Sequence, residues 1–329
     1  MSSELSVAQE AWLRLNAASA LGPDRLRGFD ARGEWRRARE MGLSLLFRDE
    51  PGFPELLRSI SDAPLVLYVW GRFEPEKDAL AFVGSRQPTP YGRRMTRQLV
   101  REAAARFVIT SGLARGIDTE AHRAALDAGG TTWAVLGSGL GRLYPPENAA
   151  LAREITSGGG CLLSEFPLDA PPLPGNFPRR NRIVAGLSWG TVVVEGRDQS
   201  GSLITARLAA QQGREVFAVP GPADSALSEA PLRLISQGAR MARSLADILP
   251  ELPPGCQRAD ARRPAPLKAL LAPEHEKILQ LLGSETRSVA ELGEESGLDI
   301  SSLTQTLFEL ELQDLVEAVP GQRYAKKSS

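Results

Sequence analysis

The residues with the most chemical character in this chain are arginines, glycines and hydroxyls that recur in short clusters. The first cluster is Gly84-Ser85-Arg86-Gln87-Pro88-Thr89-Pro90-Tyr91-Gly92. Gly84 lets backbone approach a ligand closely. Ser85 and the amides after it can donate to an oxyanion, and Arg86 adds charge. A helix expected over Arg93–Ala105 would point its N-terminus, a favourable place for anions, at the same spot. A tight strand-to-helix turn with a surface arginine has the same pattern. The second cluster is Ser111-Gly112-Leu113-Ala114-Arg115-Gly116-Ile117-Asp118, followed by Thr119 and His122. Asp118 is placed to cap the next helix, and His122 falls on its face four residues on. Such a pair can do acid–base work or simply orient a loop.

The third cluster is Gly175-Asn176-Phe177-Pro178-Arg179-Arg180-Asn181-Arg182. Three arginines in four positions beside an aromatic form a nucleic-acid pattern. Guanidinium forks hold phosphate oxygens bidentately, and Phe177 offers a face for a base. The structural alternative pairs one arginine with an acid such as Glu165 or Glu195. Arg182 is expected to be the most buried of the three, because Ile183 and Val184 follow it. The fourth cluster joins Glu195-Gly196 to Ser200-Gly201-Ser202-Leu203-Ile204-Thr205, a second anion-ready helix start. No Gly-Lys-Ser/Thr follows at Walker spacing, and Gly137-Ser138-Gly139-Leu140-Gly141 is not G-x-G-x-x-G. Cys161 and Cys256 lie far apart and give neither a disulfide framework nor zinc-ligand spacing. The pattern reads as a binding surface without metal or cofactor, not a reaction centre.

These clusters need elements to position them. Expected strands are Leu80–Val83, Phe107–Thr110, Thr132–Leu136, Cys161–Ser164, Thr191–Val194 and Glu215–Val219. Between them lie expected helices Thr119–Ala128, Ala149–Thr156 and Leu203–Gln212. The fold class is therefore α/β, an extended Rossmann-like, mostly parallel sheet over residues 51–250. Ligands in such sheets sit at the carboxyl ends of the strands, where all four clusters would converge. Residues 1–50 read as a small helical domain, with Leu5, Ala8, Trp12 and Leu15 at helical spacing. The turn Leu21-Gly22-Pro23-Asp24-Arg25-Leu26 resembles a helix-hairpin-helix or sterile-alpha-motif (SAM) bundle. Packing or protein contact is favoured there over DNA-backbone contact. Residues 251–270 read as a flexible linker rich in Pro, Ala and Arg. Residues 271–329 read as a winged helix, with helices at Glu274–Leu282, Val289–Glu295 and Ser301–Asp314 and strands around Val316 and Tyr324.

Composition narrows the class further. The chain has 329 residues, 42% of them hydrophobic, enough for two or three domains. It holds no run of about eighteen apolar residues and no signal-peptide pattern, so a cytoplasmic protein without a membrane span is expected. The net charge of −1 hides an asymmetry. Residues 270–329 carry five Lys+Arg against eleven Asp+Glu, while residues 1–269 carry 34 against 29. The body is mildly basic and the tail acidic. Nearly all the cations of the body are arginine, which a GC-rich genome would also favour.

In these motifs the sequence resembles the DNA-processing protein A family, also called DprA or Smf. The matching stretches are Phe82–Arg86, Ser111–Asp118 with His122, Gly137–Asn148 with its Tyr144-Pro145, and Phe177–Ile183. Ser200–Ala206, Val219–Gly221, Phe53–Leu57, Ala63–Tyr68 and Gly71 complete the set. The resemblance is dense over roughly residues 50–250. It implies a protein without enzymatic activity that binds single-stranded DNA and loads the RecA recombinase during natural transformation or recombinational repair. It also implies displacement or bypass of single-strand-binding protein, and homodimers built through the Rossmann-like domain. Carried over by motif, the DNA contacts are Gly84, Ser85, Arg86, Arg115, Phe177, Arg179, Arg180 and Arg182. Ser111, Gly112, Gly116, Asp118, His122, Asn181, Glu195, Ser200, Gly201, Ser202 and Thr205 belong to the same candidate site.

Two departures stand out. Ala230-Pro231-Leu232-Arg233 replaces the usual glycine-asparagine pair before Leu234-Ile235, which puts the local turn in question. The expected recognition helix Ser301–Asp314 has no Lys or Arg and carries Glu309, Glu311 and Asp314, so the tail reads as a protein-contact or regulatory module. The rival functions are a nucleotide-binding enzyme or sensor related to the Rossmann-like phosphoribohydrolases, and a duplex-binding transcription factor. The first normally carries a Pro-Gly-Gly-x-Gly-Thr loop, where this chain reads Glu195-Gly196-Arg197-Asp198-Gln199-Ser200-Gly201-Ser202.

Overall fold

Short apolar runs in the central segment become strands buried on both faces, with a helix layer on each. The structure is a computed structural model that describes residues 5–21, 26–257, 273–282, 286–312, 315–319 and 323–326. The chain forms two compact units, Met1–Arg263 and Pro264–Ser329. The first unit opens with α1 (Val7–Ala20), α2 (Ala31–Glu40), β1 (Ser44–Phe47), α3 (Glu55–Arg58), β2 (Val66–Gly71), β3 (Ala79–Val83), α4 (Pro90–Ala103) and β4 (Val108–Ser111). It continues with α5 (Ile117–Asp127), β5 (Thr132–Val135), α6 (Ala149–Ser157), β6 (Cys161–Ser164) and α7 (Asn176–Gly186). It closes with β7 (Gly190–Val193), α8 (Gly201–Gln211), β8 (Glu215–Ala218), α9 (Glu229–Ser236), β9 (Arg240–Met241) and α10 (Leu245–Ile248).

The strands lie in the order β1-β2-β6-β5-β4-β3-β7-β8-β9. β1 and β2 pair antiparallel, as do β2 and β6, and the remaining neighbours are parallel. The order reverses at β3, whose Leu80 pairs with Ile109 on one side and Gly190 on the other. Side chains alternate across the sheet as the strand period requires. Ala79, Ala81 and Val83 pack with Ile183 of α7 and Leu203 of α8. Leu80 and Phe82 pack with Leu99 of α4 and Ala121 of α5 on the opposite face. Burying each large apolar side chain contributes roughly 2 kcal/mol, so the sheet holds its strand ends rigidly.

The residues expected as a separate helical domain over 1–50 share the core of the sheet. Leu13 of α1 and Ala31 and Ala38 of α2 pack with Val66 and Tyr68 of β2 and Leu162 of β6. Residues 44–47 form the edge strand β1. The turn at residues 22–25 lies outside the described residues. The expected linker begins later than residue 251, because Leu252 and Cys256 are buried in the first unit. Residues 258–270 lie outside the described residues.

The second unit contains α11 (Pro273–Leu282), β10 (Arg287–Ser288), α12 (Val289–Ser296), α13 (Ile300–Leu312), β11 (Val316–Val319) and β12 (Arg323–Lys326). Its three strands lie in the order β10-β12-β11, and Ile278, Leu292, Leu303, Leu307 and Val316 form its core. Helices followed by a small sheet make this a winged helix. No helix among the described residues is long and apolar enough to cross a membrane.

Candidate nucleic-acid interface

The loops that leave β3, β4 and β7 meet at the C-terminal edge of the sheet, where the strand order reverses. The first two clusters form one packed pair of turns. Ile117 N donates to Ser85 O at 3.0 Å. Gly116 has φ +80°, and a Cβ there would lie 2.2 Å from Ser85 O, so no other residue fits without shifting the turn. Gly116 is also the N-cap of α5, which corrects the capping role expected of Asp118. The buried Asp118 carboxylate instead accepts from Gly112 N at 3.1 Å and Ala114 N at 3.3 Å. Burial raises its pKa, opposed by Arg180 and by those amides.

His122 is fully buried and makes its bond away from Asp118. Its Nδ1 lies 2.7 Å from Thr132 Oγ1, and the Thr132 hydroxyl donates to Ile109 O at 2.6 Å. That hydroxyl has one proton, so Nδ1–H of His122 must be the donor to it. Burial, with a contribution from Arg180, lowers the imidazole pKa to about 3. His122 is therefore neutral and positions the loop. Ser111 is also buried, and its hydroxyl donates to Phe82 O at 2.6 Å. The expected direct contacts of Ser111, Asp118 and His122 are thus corrected to supporting roles, since all three are buried and bonded within the protein.

The third cluster is the start of a helix, α7. Pro178 falls in the first turn of α7, where a missing N–H is harmless. Helical periodicity then separates the three arginines. Arg179 and Arg182, three residues apart, reach one acid: their Nη2 atoms donate to Glu165 Oε2 at 2.8 and 2.5 Å. Arg179 also donates to Ser19 O and Ser19 Oγ of α1. Arg180 turns inward and donates to Gly112 O and Val135 O. It is 4% exposed against 7% for Arg182, which reverses the expected burial order. Burial lowers its pKa to about 10, opposed by Asp118 and reinforced by Arg86. Gly112 makes room for this guanidinium, because a Cβ there would lie 2.3 Å from Nη1.

Phe177 stays half-exposed on the first turn of α7. The Arg86 guanidinium lies over it, 5.8 Å from the ring centroid, within cation–π range. The Tyr144 ring flanks it at 5.7 Å, tilted by 50°. Gly137 leaves space for Phe177, since a Cβ there would stand 2.8 Å from the ring. Arg115 is exposed on the neighbouring turn and ion-paired with Glu147. Exposed Arg86, Arg115 and Tyr144 thus meet the half-exposed Phe177 on one surface. Sequence reasoning did not single out Tyr144 as a site residue. Its signal was an aromatic in the loop after β5, beside the other strand-end loops.

The N-terminus of α4 is occupied by the protein itself. Glu195, buried, accepts from Thr89 N at 2.9 Å and from Thr89 Oγ1 at 2.5 Å. It sits against Gly92, where a Cβ would lie 2.3 Å from Oε2. The anion expected there from a ligand is this carboxylate, a favourable partner for a helix N-terminus. In the fourth cluster Ser200 Oγ and Ser202 Oγ lie 2.6 Å apart, and Thr205 and Ser202 are buried. Ser200 is half-exposed and Gly201 exposed at the start of α8; Asn181 Nδ2 donates to Gly201 O at 3.4 Å. The turn in question at Ala230–Arg233 is helical, part of α9. Arg233 pairs with Asp198 at 2.7 Å, and Glu229 accepts from Asp198 N at 3.2 Å, so α9 holds the loop after β7.

In the second unit, α13 exposes Ser302, Thr304, Gln305 and Glu311, and its Glu309 lies 3.0 Å from His275 Nε2. This is the position of a recognition helix, and its described residues carry no Lys or Arg. Asp314 lies outside the described residues.

Residues 44–253 match the family described as DNA recombination-mediator protein A, and residues 261–322 match the DprA winged helix domain. Protein Smf of Escherichia coli K12 is 43% identical over 286 residues, spanning 84% of this chain and 76% of that protein. DNA processing protein DprA of Bacillus subtilis 168 is 42% identical over 218 residues, spanning 65% of this chain and 73% of its own length. The X-ray structure of DprA from Streptococcus pneumoniae aligns with a TM-score of 0.64 at 36% identity, covering 70% of this chain and 81% of that one. A Helicobacter pylori DprA structure, described for its single-stranded DNA binding mode, aligns with a TM-score of 0.57 at 30% identity, covering 63% and 93%. With family models matching residues 44–253 and 261–322, and relatives 43% and 42% identical over most of their length, the chain belongs to the DNA recombination-mediator protein A family.

Proposed function

We propose that the α/β unit holds single-stranded DNA across the C-terminal ends of β3, β4 and β5, and acts without catalysis as a recombination mediator. The observation that carries this reading is the half-exposed Phe177 ring set between Arg86 and Tyr144. A stacking face beside a guanidinium suits a flexible strand whose bases are splayed out. The related H. pylori protein is described as binding single-stranded DNA. The acids and the histidine nearby serve structural ends. Asp118 holds two amides, Glu165 two arginines, Glu195 a helix start, and His122 a buried threonine. A nucleotide-binding enzyme would seat a phosphate at the start of α4, where Glu195 already sits.

Family membership supports the further reading that the bound strand is handed to a RecA-type recombinase, past single-strand-binding protein, by a homodimer. Strand-binding titrations of Arg86→Ala and Phe177→Ala test the site. Wild-type-like affinity in both, or release of free base from a nucleotide by the wild-type protein, overturns it. RecA filament growth on strands coated with single-strand-binding protein tests the mediator role, and no acceleration by the full chain overturns that.

A further inference from the structure

Helix α4 carries a feature that the strand-end site leaves unused. Arg93, Arg94, Arg97 and Arg101 are all exposed. At 3.6 residues per turn they fall within about 100° of the helix circumference. The opposite face, with Gly92, Thr96, Leu99, Val100 and Ala103, is buried against the sheet. No acidic residue of α4 shares the arginine face. Its Glu102 lies on another side and accepts from Leu245 N at 2.7 Å.

Two of the four arginines are held in place. Glu120 of α5, buried between the helices, accepts from Arg93 at 2.7 Å and from Arg97 at 2.9 Å. The two guanidiniums still keep about half their side-chain surface in solvent, 46% and 55%. One buried acid thus fixes two cations and cancels only one charge. Arg94 lies over the Tyr91 ring at 5.4 Å, which orients it without cancelling its charge. The four arginines and Glu120 together leave a net of about three positive charges along roughly 12 Å of helix. A helix that only needed solubility would mix both signs on its exposed face.

The direction of this row selects its ligand. α4 begins directly after the loop that carries Arg86, so its first turn stands at the strand-end edge and its later turns run away from it. A chain of phosphates leaving the Arg86–Phe177 surface would meet Arg93 and Arg94 first, then Arg97, then Arg101. We infer that the arginine face of α4 is a second contact surface for the phosphate backbone of a single strand, extending the path beyond the Phe177 site. The inference rests on the strand-binding reading above. The face offers guanidiniums, and the one aromatic beside them, Tyr91, is covered by Arg94 and tied to Pro220 O, so it would add affinity and length without base preference.

The test uses the full chain with Arg94 and Arg101 both changed to alanine. These two avoid Arg93 and Arg97, whose loss would strand the buried Glu120. Binding is measured with an oligothymidylate of about six nucleotides and one of about thirty, across a salt series. The expected result is an unchanged affinity for the short strand and a long-strand affinity at least tenfold weaker. The long-strand salt slope should be shallower by about 1.4, the release expected for two phosphate contacts. Charge reversal to glutamate at the same positions should deepen the long-strand loss and leave the short strand within about twofold. Equal losses on both strands, or no loss on either, overturn the inference. So does a face that binds polyglutamate while long-strand binding ignores the substitutions, which would assign it to an acidic protein. If neither strand binds wild type at all, the strand-binding reading itself has failed.

Discussion

The strand-end edge of the first unit and helix α13 of the second make an instructive pair. The Rossmann-like sheet is a fold associated with nucleotides, yet its first helix start is filled by Glu195 and its exposed residues suit a strand. The winged helix is a fold associated with duplex DNA, yet the described residues of its recognition helix carry no cation. In both units the fold suggests one ligand and the side chains another. Function therefore has to be argued from the exposed groups, not from the architecture.

The largest expected effect comes from Arg180, which joins the edge together. Arg180→Ala leaves the buried Asp118 without its cation and frees the carbonyls of Gly112 and Val135. Breaking one side of such a buried network costs about 3–5 kcal/mol, so denaturant unfolding should show a large loss of stability. Arg180→Ala at wild-type stability would show that the edge is held by something else. Next comes Phe177→Ala, which should weaken strand binding by about 1–3 kcal/mol while leaving the unfolding midpoint close to wild type. Equal effects on binding and stability would make Phe177 a core residue instead.

A pH effect follows from His122. Its folded pKa of about 3 lies below the ordinary imidazole value, so the unfolded chain takes up the proton first as pH falls. The stability that the neutral histidine contributes is complete above about pH 6.5 and is lost progressively towards pH 3, by up to about 1.4 kcal/mol per pH unit. His122→Gln should flatten that part of the stability profile, and a profile of unchanged steepness would place the titration elsewhere. The smallest effect sharpens the contrast between the units. Glu311→Lys with Gln305→Lys places cations on α13, which should raise duplex affinity a few-fold and leave single-strand affinity within about twofold. A parallel rise in both would mean that α13 already lies on the strand path.

Much of this was legible in residue patterns. The six expected strands fall within one residue of their expected ends, because short apolar runs bounded by glycine and polar turns have few other solutions, while β1, β2 and the two-residue β9 were not expected. Three of the four clusters do flank strand ends. The helix start at Phe177–Arg182 is hidden in the sequence, because Gly175 and Pro178 look like breakers while Pro178 is harmless in a first turn. Read with helical periodicity, Arg179 and Arg182 fall on one face, and the shared Glu165 follows. The role of Glu195 was not legible, because Thr89 and Gly92 lie more than a hundred residues away and meet it only through the sheet. The same holds for Asn16 and Ser19, whose bonds to Glu165 O and Arg179 tie α1 to the edge.

The edge around Arg86 and Phe177 is expected to bind single strands, and the winged helix is expected not to supply duplex recognition. Fluorescence anisotropy of wild type and Arg86→Ala on matched single-stranded and duplex DNA, across a salt series, tests both halves at once. A clear single-strand preference is expected in wild type. In Arg86→Ala the single-strand salt slope should be shallower by about 0.7, the value for one lost phosphate contact. Equal affinity for the two DNA forms, with a slope unmoved by Arg86→Ala, would contradict both expectations.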